Sequence, residues 1–121
     1  MLTGRTVLIV ETEIIISLSM QAVLHGLGAT NFVVLTSPAA FDPELYPWDS
    51  LSLAIIEVEA NRPDQSDLAL AAARAGIAVI GLTADGQFRM PVLPDMPLVV
   101  KPVPDDILAE TVTSLLQRHS L

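Results

Sequence analysis

Short apolar runs, separated by longer helical patterns, set the fold class of this chain. The first run, Thr6–Val10, is β-branched and shows no alternation of apolar and polar residues. Such a strand is covered on both faces, as in parallel sheets with crossover helices on either side. Further runs follow at Asn31–Thr36, Leu51–Val58, Ile77–Leu82 and Leu98–Val100. The sequence therefore predicts a five-stranded parallel α/β sheet with right-handed crossovers.

The connections between these strands differ in their proline content. The helical patterns are Glu13–Leu27, Ser66–Ala75 and Pro104–Arg118, and a polar loop is predicted at Asn61–Gln65. Prolines limit any helix in Ser37–Asp49 to a turn or two, and any helix in Asp85–Pro97 to at most one turn. In such sheets the functional crevice lies beyond the carboxyl ends of the strands.

Length, charge and residue usage exclude several classes of protein. A chain of 121 residues predicts one domain over residues 1–121. Fourteen acidic against six basic residues give a net charge of −8, which excludes nucleic acid and anionic membrane surfaces as partners. No apolar run is long enough to span a bilayer, and the first residues do not show the pattern of a secretory signal peptide. Cysteine is absent, and His25 and His119 are too few for a multi-histidine metal site. A small, acidic, cytoplasmic domain is expected.

Charged and hydroxyl side chains follow four of the predicted strands. Glu11 follows the first strand, Glu57 and Glu59 end the third, Thr83 follows the fourth and Lys101 follows the fifth. Because the carboxyl ends of parallel strands meet at one edge, we expect these side chains to lie close together. The sequence thus predicts a cluster of carboxylates, a hydroxyl and one ammonium at this edge.

Four segments at these strand ends carry a family resemblance. Their order and spacing resemble those of the receiver domains of two-component response regulators. The segments are VLIVETE, LAIIEVE, GLTAD and VVKPV, and the resemblance spans roughly Arg5–Arg118. It implies a flavodoxin-like, doubly wound sheet in the order 2-1-3-4-5. The 18 residues from Thr83 to Lys101 (101 − 83 = 18) imply a fourth helix that is short or replaced by a loop, as in a branch of stand-alone receivers.

The resemblance also implies a chemistry for the strand ends. In the family, an aspartate ending strand three forms an acyl phosphate with a phosphohistidine or a small phosphodonor, and Mg²⁺ neutralises the phosphoryl oxygens. A strand-four hydroxyl and a strand-five lysine, followed by a cis proline bond, hold the phosphoryl group. By motif, Glu57 stands at the phosphoacceptor position. Glu11 and Thr12 stand at the two positions where the family has a pair of acids. Thr83 stands at the position of the hydroxyl, and Lys101 and Pro102 at those of the lysine and the proline.

Two departures from the family pattern change this chemistry. Glu57 is one methylene longer than aspartate, so its carboxylate reaches into the space of the metal and phosphoryl group, where we expect it to pair with Lys101, with Thr83 as a further donor. Thr12 removes a charged oxygen ligand, which lowers Mg²⁺ affinity. We therefore expect no metal, or weak Mg²⁺ on Glu11, Glu57 and Glu59. We expect no catalytic residue, no phosphorylation and no enzymatic activity, with Glu57 imitating the phosphorylated charge.

Other interpretations of these residues stay open at this point. Glu57 alone is compatible with a solvated strand-end glutamate beside a surface lysine. A working receiver or phosphate sink, phosphorylated on Glu57 or another acid, is the main functional alternative. A flavodoxin-like binder of a small ligand is a second one, although the loop after the first strand has no glycine-rich phosphate cradle.

The first helix carries an additional apolar face. Ile14, Leu18 and Ala22 recur at i, i+4 spacing with Ile15 beside them, and no charge occurs between Ile14 and Gln21. Either a neighbouring loop or the final helix covers this face, or it is a partner surface. By resemblance, the partner is a histidine kinase, a histidine phosphotransfer protein or a downstream effector. Homodimerisation through this helix is also open.

Overall fold

The computed structural model describes residues 2–119 and contains one parallel sheet. Its strands are β1 (Thr6–Val10), β2 (Asn31–Leu35), β3 (Leu51–Glu57), β4 (Ala78–Thr83) and β5 (Leu98–Val100). Its α-helices are α1 (Ile14–Gly26), α2 (Pro63–Arg74) and α3 (Asp105–His119). The strand order is β2-β1-β3-β4-β5 with every pair parallel. The predicted flavodoxin-like sheet is thereby confirmed.

The two faces of the sheet bury separate apolar cores. Along β1, Val7 and Ile9 point to the face covered by α1 and α3, whereas Leu8 and Val10 point to the face covered by α2. All four side chains are at most 1% exposed. Strand β1 is thus buried on both sides, as its unbroken apolar run predicts, and this holds its carboxyl end at a fixed position.

Residues 36–50, between β2 and β3, form no α-helix. Two short 3₁₀ turns replace it, at Pro38–Ala40 and Trp48–Ser50, which agrees with the limit of a turn or two set by Pro43 and Pro47. Trp48 packs against the core on the α2 face, and its ring centroid lies 4.7 Å from that of Phe41. The aromatic contact holds this segment against the sheet in place of a helix.

Residues 84–97 also lack a helix, which confirms that the fourth helix is replaced by a loop. The segment is a series of turns, with hydrogen bonds from the Leu93 N–H to the Met90 carbonyl (3.0 Å) and from the Met96 N–H to the Leu93 carbonyl (3.2 Å). Phe88, Met90, Leu93 and Met96 all pack against the core on the α2 face. The loop therefore supplies the apolar cover that the missing helix would otherwise provide.

One predicted boundary is wrong. The loop predicted at Asn61–Gln65 ends early, because α2 begins at Pro63 rather than at Ser66. Proline suits the first helical position, where its fixed φ fits and its missing N–H has no helical partner to lose. The bidentate contact from Arg62 to Asp64 (2.9 and 3.1 Å) also stabilises this start. None of the helices within residues 2–119 is long and apolar enough to cross a membrane.

Candidate functional site

The register of the sheet brings three charged residues to one edge. Val10 lies beside Ile56, so Glu11 follows β1 next to Glu57 at the end of β3. On the other side, the N–H of Lys101 donates to the carbonyl oxygen of Thr83 at 2.8 Å, which carries the lysine past the end of β4. The expected convergence of strand ends is therefore present in the structure.

One ammonium group lies between two carboxylates at this edge. The Nζ atom of Lys101 is 2.9 Å from Oε2 of Glu57, and 3.1 and 3.3 Å from Oε1 and Oε2 of Glu11. The side chains of Lys101, Glu57 and Glu11 are 8%, 9% and 0% exposed. We call these three residues the charge cluster. Its formal charge is −1 when all three groups are ionised, so burial leaves one carboxylate incompletely compensated.

The turn between β1 and α1 supplies further donors to the charge cluster. The Thr12 N–H donates to Oε1 of Glu57 at 3.2 Å, and the Thr12 hydroxyl lies 3.4 Å from Oε2 of Glu57 and 3.5 Å from Oε1 of Glu11. The Glu13 N–H donates to Oε1 of Glu11 at 3.0 Å. Both oxygens of Glu57 and both oxygens of Glu11 are thus engaged by groups of the chain itself.

The three ionisable groups of the charge cluster respond differently to burial. Desolvation raises the pKa of Glu11, and the hydrogen bonds from Glu13 and Lys101 offset it only in part. Desolvation also acts to raise the pKa of Glu57, but the bonds from Lys101 and Thr12 outweigh it, so the pKa of Glu57 lies below its ordinary value. Desolvation acts to lower the pKa of Lys101, yet contact with both glutamates raises it. Of the two glutamates, Glu57 therefore keeps its negative charge to the lower pH.

The prediction that Thr83 donates to Glu57 is wrong. Its hydroxyl oxygen instead accepts the Asp85 N–H at 3.1 Å and lies 3.4 Å from the Asp85 carbonyl oxygen. A threonine at the end of a strand readily bonds the backbone two residues further on, because its side chain is short and the N–H is close. Thr83 is 1% exposed and stays outside the charge cluster.

Glu59 also lies outside the charge cluster. Its Oε1 accepts the Ala84 N–H at 2.8 Å, so its carboxylate contacts the loop after β4 rather than Glu11 or Glu57. Within residues 2–119, no group of three or more histidine or acidic side chains is arranged to hold a metal ion.

The side chains present do not fit the Mg²⁺ ion that the fold family implies. Mg²⁺ requires several oxygen ligands in near-octahedral geometry. Here the oxygens of Glu11 and Glu57 already contact the Lys101 ammonium, and Thr12 supplies a neutral hydroxyl where the family pattern has an acid. The ammonium takes the role of the site's cation.

Two features of the charge cluster were not foreseen from the sequence. Glu11 shares Lys101 with Glu57, and Thr12 donates to Glu57 through its N–H as well as its hydroxyl. A signal for the first feature exists, since two acids and only one base follow strands that meet at this edge. The Lys101–Pro102 peptide bond is cis, as the resemblance implies.

The apolar face of α1 is uncovered in the structure. Ile14, Ile15 and Leu18 are 65%, 79% and 58% exposed, and Ala22 is exposed as well. The interpretation that a loop or the final helix covers them is therefore wrong for residues 2–119. We call Ile14, Ile15, Leu18 and Ala22 the α1 surface. It begins three residues after Glu11, which places it beside the mouth of the charge cluster.

Comparison with known proteins identifies the fold. No family model matches the chain, and no curated protein matches it. A CheY-like response regulator receiver domain protein from Methanospirillum hungatei JF-1 is similar, with a TM-score of 0.74, 18% identity and 96% of each chain covered. A response regulator receiver domain protein from Clostridium thermocellum gives 0.76 and 16%, covering 96% of this chain and 97% of that one. The signal receiver domain of an HD domain-containing protein from Pseudomonas fluorescens Pf-5 gives 0.74 and 17%, with the same coverage. The chain has the fold of a response regulator receiver domain.

Acidification should protonate Glu11 before Glu57. Because the folded-state pKa of Glu11 is raised, the stability of the wild type relative to Glu11→Gln falls as pH rises through that pKa. Because the pKa of Glu57 is lowered, the stability relative to Glu57→Gln is present above the ordinary glutamate pKa and is lost as pH falls through the lowered value. Urea unfolding of the three proteins across acidic and neutral pH measures both slopes. Slopes of equal sign for the two variants would contradict this assignment.

Proposed function

We propose that this chain acts in two-component phosphorelay signalling as a cytoplasmic, single-domain, receiver-like protein. It works by protein–protein contact and is not phosphorylated. Its fold is that of a receiver domain, and Thr83, Lys101 and Glu57 stand at the strand ends where the family places its hydroxyl, lysine and acceptor. The proposal differs from an ordinary receiver in one respect, namely that the chain fills its own pocket.

The observation that carries this proposal is the 2.9 Å contact between Lys101 Nζ and Glu57 Oε2. Phosphorylation requires a carboxylate oxygen that is free to attack phosphorus, together with space for the phosphoryl group and its metal. In Glu57, Oε1 accepts the Thr12 N–H, and Oε2 contacts both Lys101 and the Thr12 hydroxyl. These contacts hold the carboxylate in place and lower the electron density on both oxygens, so an attack by either oxygen is disfavoured.

The charge balance also opposes phosphorylation. An acyl phosphate carries about two negative charges at neutral pH and replaces the single charge of the carboxylate on which it forms, so phosphorylation of Glu57 would add about one net negative charge. The charge cluster already has two carboxylates on one ammonium, and its donor set does not fit a divalent cation that would compensate the added charge. Repulsion in a buried site is weakly screened, so the added group would be strongly disfavoured.

Glu57 reproduces only part of what a phosphoryl group would bind. Its carboxylate holds Lys101, but the Thr83 hydroxyl remains with Asp85. In the family both the lysine and the hydroxyl contact the phosphoryl group. We therefore propose a fixed state in which Lys101, after β5, contacts a carboxylate in place of a phosphoryl group, whereas Thr83, at the end of β4, does not. Such a protein presents one constant surface to its partners.

The α1 surface is the proposed contact for a histidine kinase, a histidine phosphotransfer protein or a downstream effector. Its exposed isoleucines and leucine are typical of surfaces that a partner buries. Glu13 and Asp105, at the starts of α1 and α3, are exposed near this surface and add negative charge. An apolar partner face with basic residues at its edge fits this arrangement. The alternative is a homodimer in which a second copy of the chain covers the α1 surface.

Incubation with acetyl phosphate and Mg²⁺ should leave the intact mass of the wild type unchanged, because Glu57 and Lys101 occupy the acceptor site. The double variant Glu57→Asp/Thr12→Asp restores the family's acids, and it should gain one phosphoryl group. Thr12→Asp alone is the matched control and should gain none. A stoichiometric phosphoryl gain by the wild type would instead support the working receiver or phosphate sink.

Replacing Ile15 and Leu18 by serine should abolish partner binding without destabilising the fold, since both side chains are largely exposed. The free energy of unfolding should change by no more than about 0.5 kcal/mol per substitution. Affinity for the helical domain of a histidine kinase encoded beside this chain should fall at least about tenfold. Val92→Ser, in the 84–97 loop and 64% exposed, is the control. Unchanged affinity in the double variant, with concentration-dependent sedimentation of the wild type, would favour the homodimer.

A further inference from the structure

Glu59 connects two loops at the carboxyl edge of the sheet. Its Oε1 accepts the N–H of Ala84, the first residue of the 84–97 loop, at 2.8 Å. Its own N–H donates to Oε1 of Gln65 at 2.9 Å, and Gln65 is 1% exposed within α2. The backbone of Glu59 is therefore fixed by a buried amide, and its carboxylate reaches across to fix the start of the loop.

The bond to Ala84 is the first of a series of hydrogen bonds in the turn that follows β4. Once the Ala84 N–H points to Glu59, the next N–H, that of Asp85, lies 3.1 Å from the Thr83 hydroxyl oxygen. The turn continues with Gln87 N–H to Asp85 Oδ1 at 2.9 Å and Phe88 N–H to the Asp85 carbonyl at 3.0 Å. The local bond between Thr83 and Asp85 is thus one of the series that begins with the bond from Ala84 to Glu59.

Within the described residues, the side chains of the charge cluster make no hydrogen bond to the 84–97 loop. Within residues 2–119, the side-chain hydrogen bonds of Glu57 are to Thr12 and Lys101, and those of Glu11 are to Thr12, Glu13 and Lys101. The cluster is connected to β4 through the backbone, by the pairing of Glu57 with Leu82 and by the bond from the Lys101 N–H to the Thr83 carbonyl. Charge pairing and loop position are thus separate features of the site.

We propose that Glu59 is a latch for the 84–97 loop, and that this latch, not the Glu57–Lys101 pair, keeps the Thr83 hydroxyl on Asp85. Glu59 is a positioning residue, because it acts on Thr83 through the backbone of Ala84. The inference rests on the proposed function, because it takes the 84–97 loop as part of the region that changes conformation when a receiver is phosphorylated. It identifies the contact that makes the proposed fixed state independent of the acceptor residue.

Hydrogen exchange at the Ala84 and Asp85 amides tests the latch in the full chain, without phosphodonor or Mg²⁺. In Glu59→Ala both amides should exchange at least about tenfold faster than in the wild type, the factor expected from losing one hydrogen bond to a charged group. Glu59→Gln keeps an acceptor oxygen at the same reach and should retain most of the protection. Glu59→Asp keeps the charge but is too short, so it should lose protection as Glu59→Ala does.

Two controls separate the latch from general loosening. Asp42→Ala removes a similar carboxylate bond, to the Glu44 N–H at 2.9 Å in another loop, and should leave Ala84 and Asp85 unchanged. Glu57→Gln should also leave them unchanged. Unaltered exchange in both Glu59→Ala and Glu59→Asp, or equal loss in Glu57→Gln, would overturn the proposal. Phosphorylation of the wild type would overturn the proposed function without affecting this result.

Discussion

Two buried carboxylates that share one buried ammonium are the interaction on which the rest of this site depends. Removing charged groups from water is costly, and the cost is recovered only where the partners are close and the remaining hydrogen bonds are made. Lys101 meets both conditions, since it contacts Glu11 and Glu57 while the Thr12 N–H donates to Oε1 of Glu57 and the Glu13 N–H to Oε1 of Glu11. The same bonds join the ends of β1, β3 and β5. A charge cluster of this kind is a structural cross-link, and in the proposed function it is also the barrier to phosphoryl transfer.

The fold tolerates the loss of regular structure around this cluster because the central strands are buried on both faces. Residues 36–50 and 84–97 cover the α2 side of the sheet without α-helices, using aromatic and methionine side chains held by proline-rich turns. The other face keeps two helices, α1 and α3, that pack against each other and the sheet. The geometry of the strand ends is therefore preserved, while the surface formed by the 84–97 loop differs from that of a receiver with a full fourth helix.

The sheet and the three charged residues that meet at its edge could be predicted from the sequence because both depend on simple patterns. Unbroken apolar runs identify buried parallel strands, and strand ends of such a sheet must share an edge. The pairing of Glu57 with Lys101 could also be predicted, but the partners of Glu11 and Thr83 could not. Thr83 has donors and acceptors in several directions, and the nearby Asp85 backbone prevails over Glu57. The predicted loop at Asn61–Gln65 contains Pro63, which is in fact a favourable first residue of α2. Whether Ile15 is exposed depends on which elements pack beside α1, and the apolar pattern of the helix does not specify those elements.

A double-mutant cycle between Glu57 and Lys101 tests the central claim most directly. The free energies of unfolding of wild type, Glu57→Gln, Lys101→Met and the double variant, measured by urea denaturation at neutral pH, give the coupling between the two side chains. A buried, ionised pair predicts a favourable coupling of about 2 kcal/mol or more, even though Glu11 remains beside the lysine. A coupling below about 0.5 kcal/mol, the value of a solvated surface pair, would contradict the account.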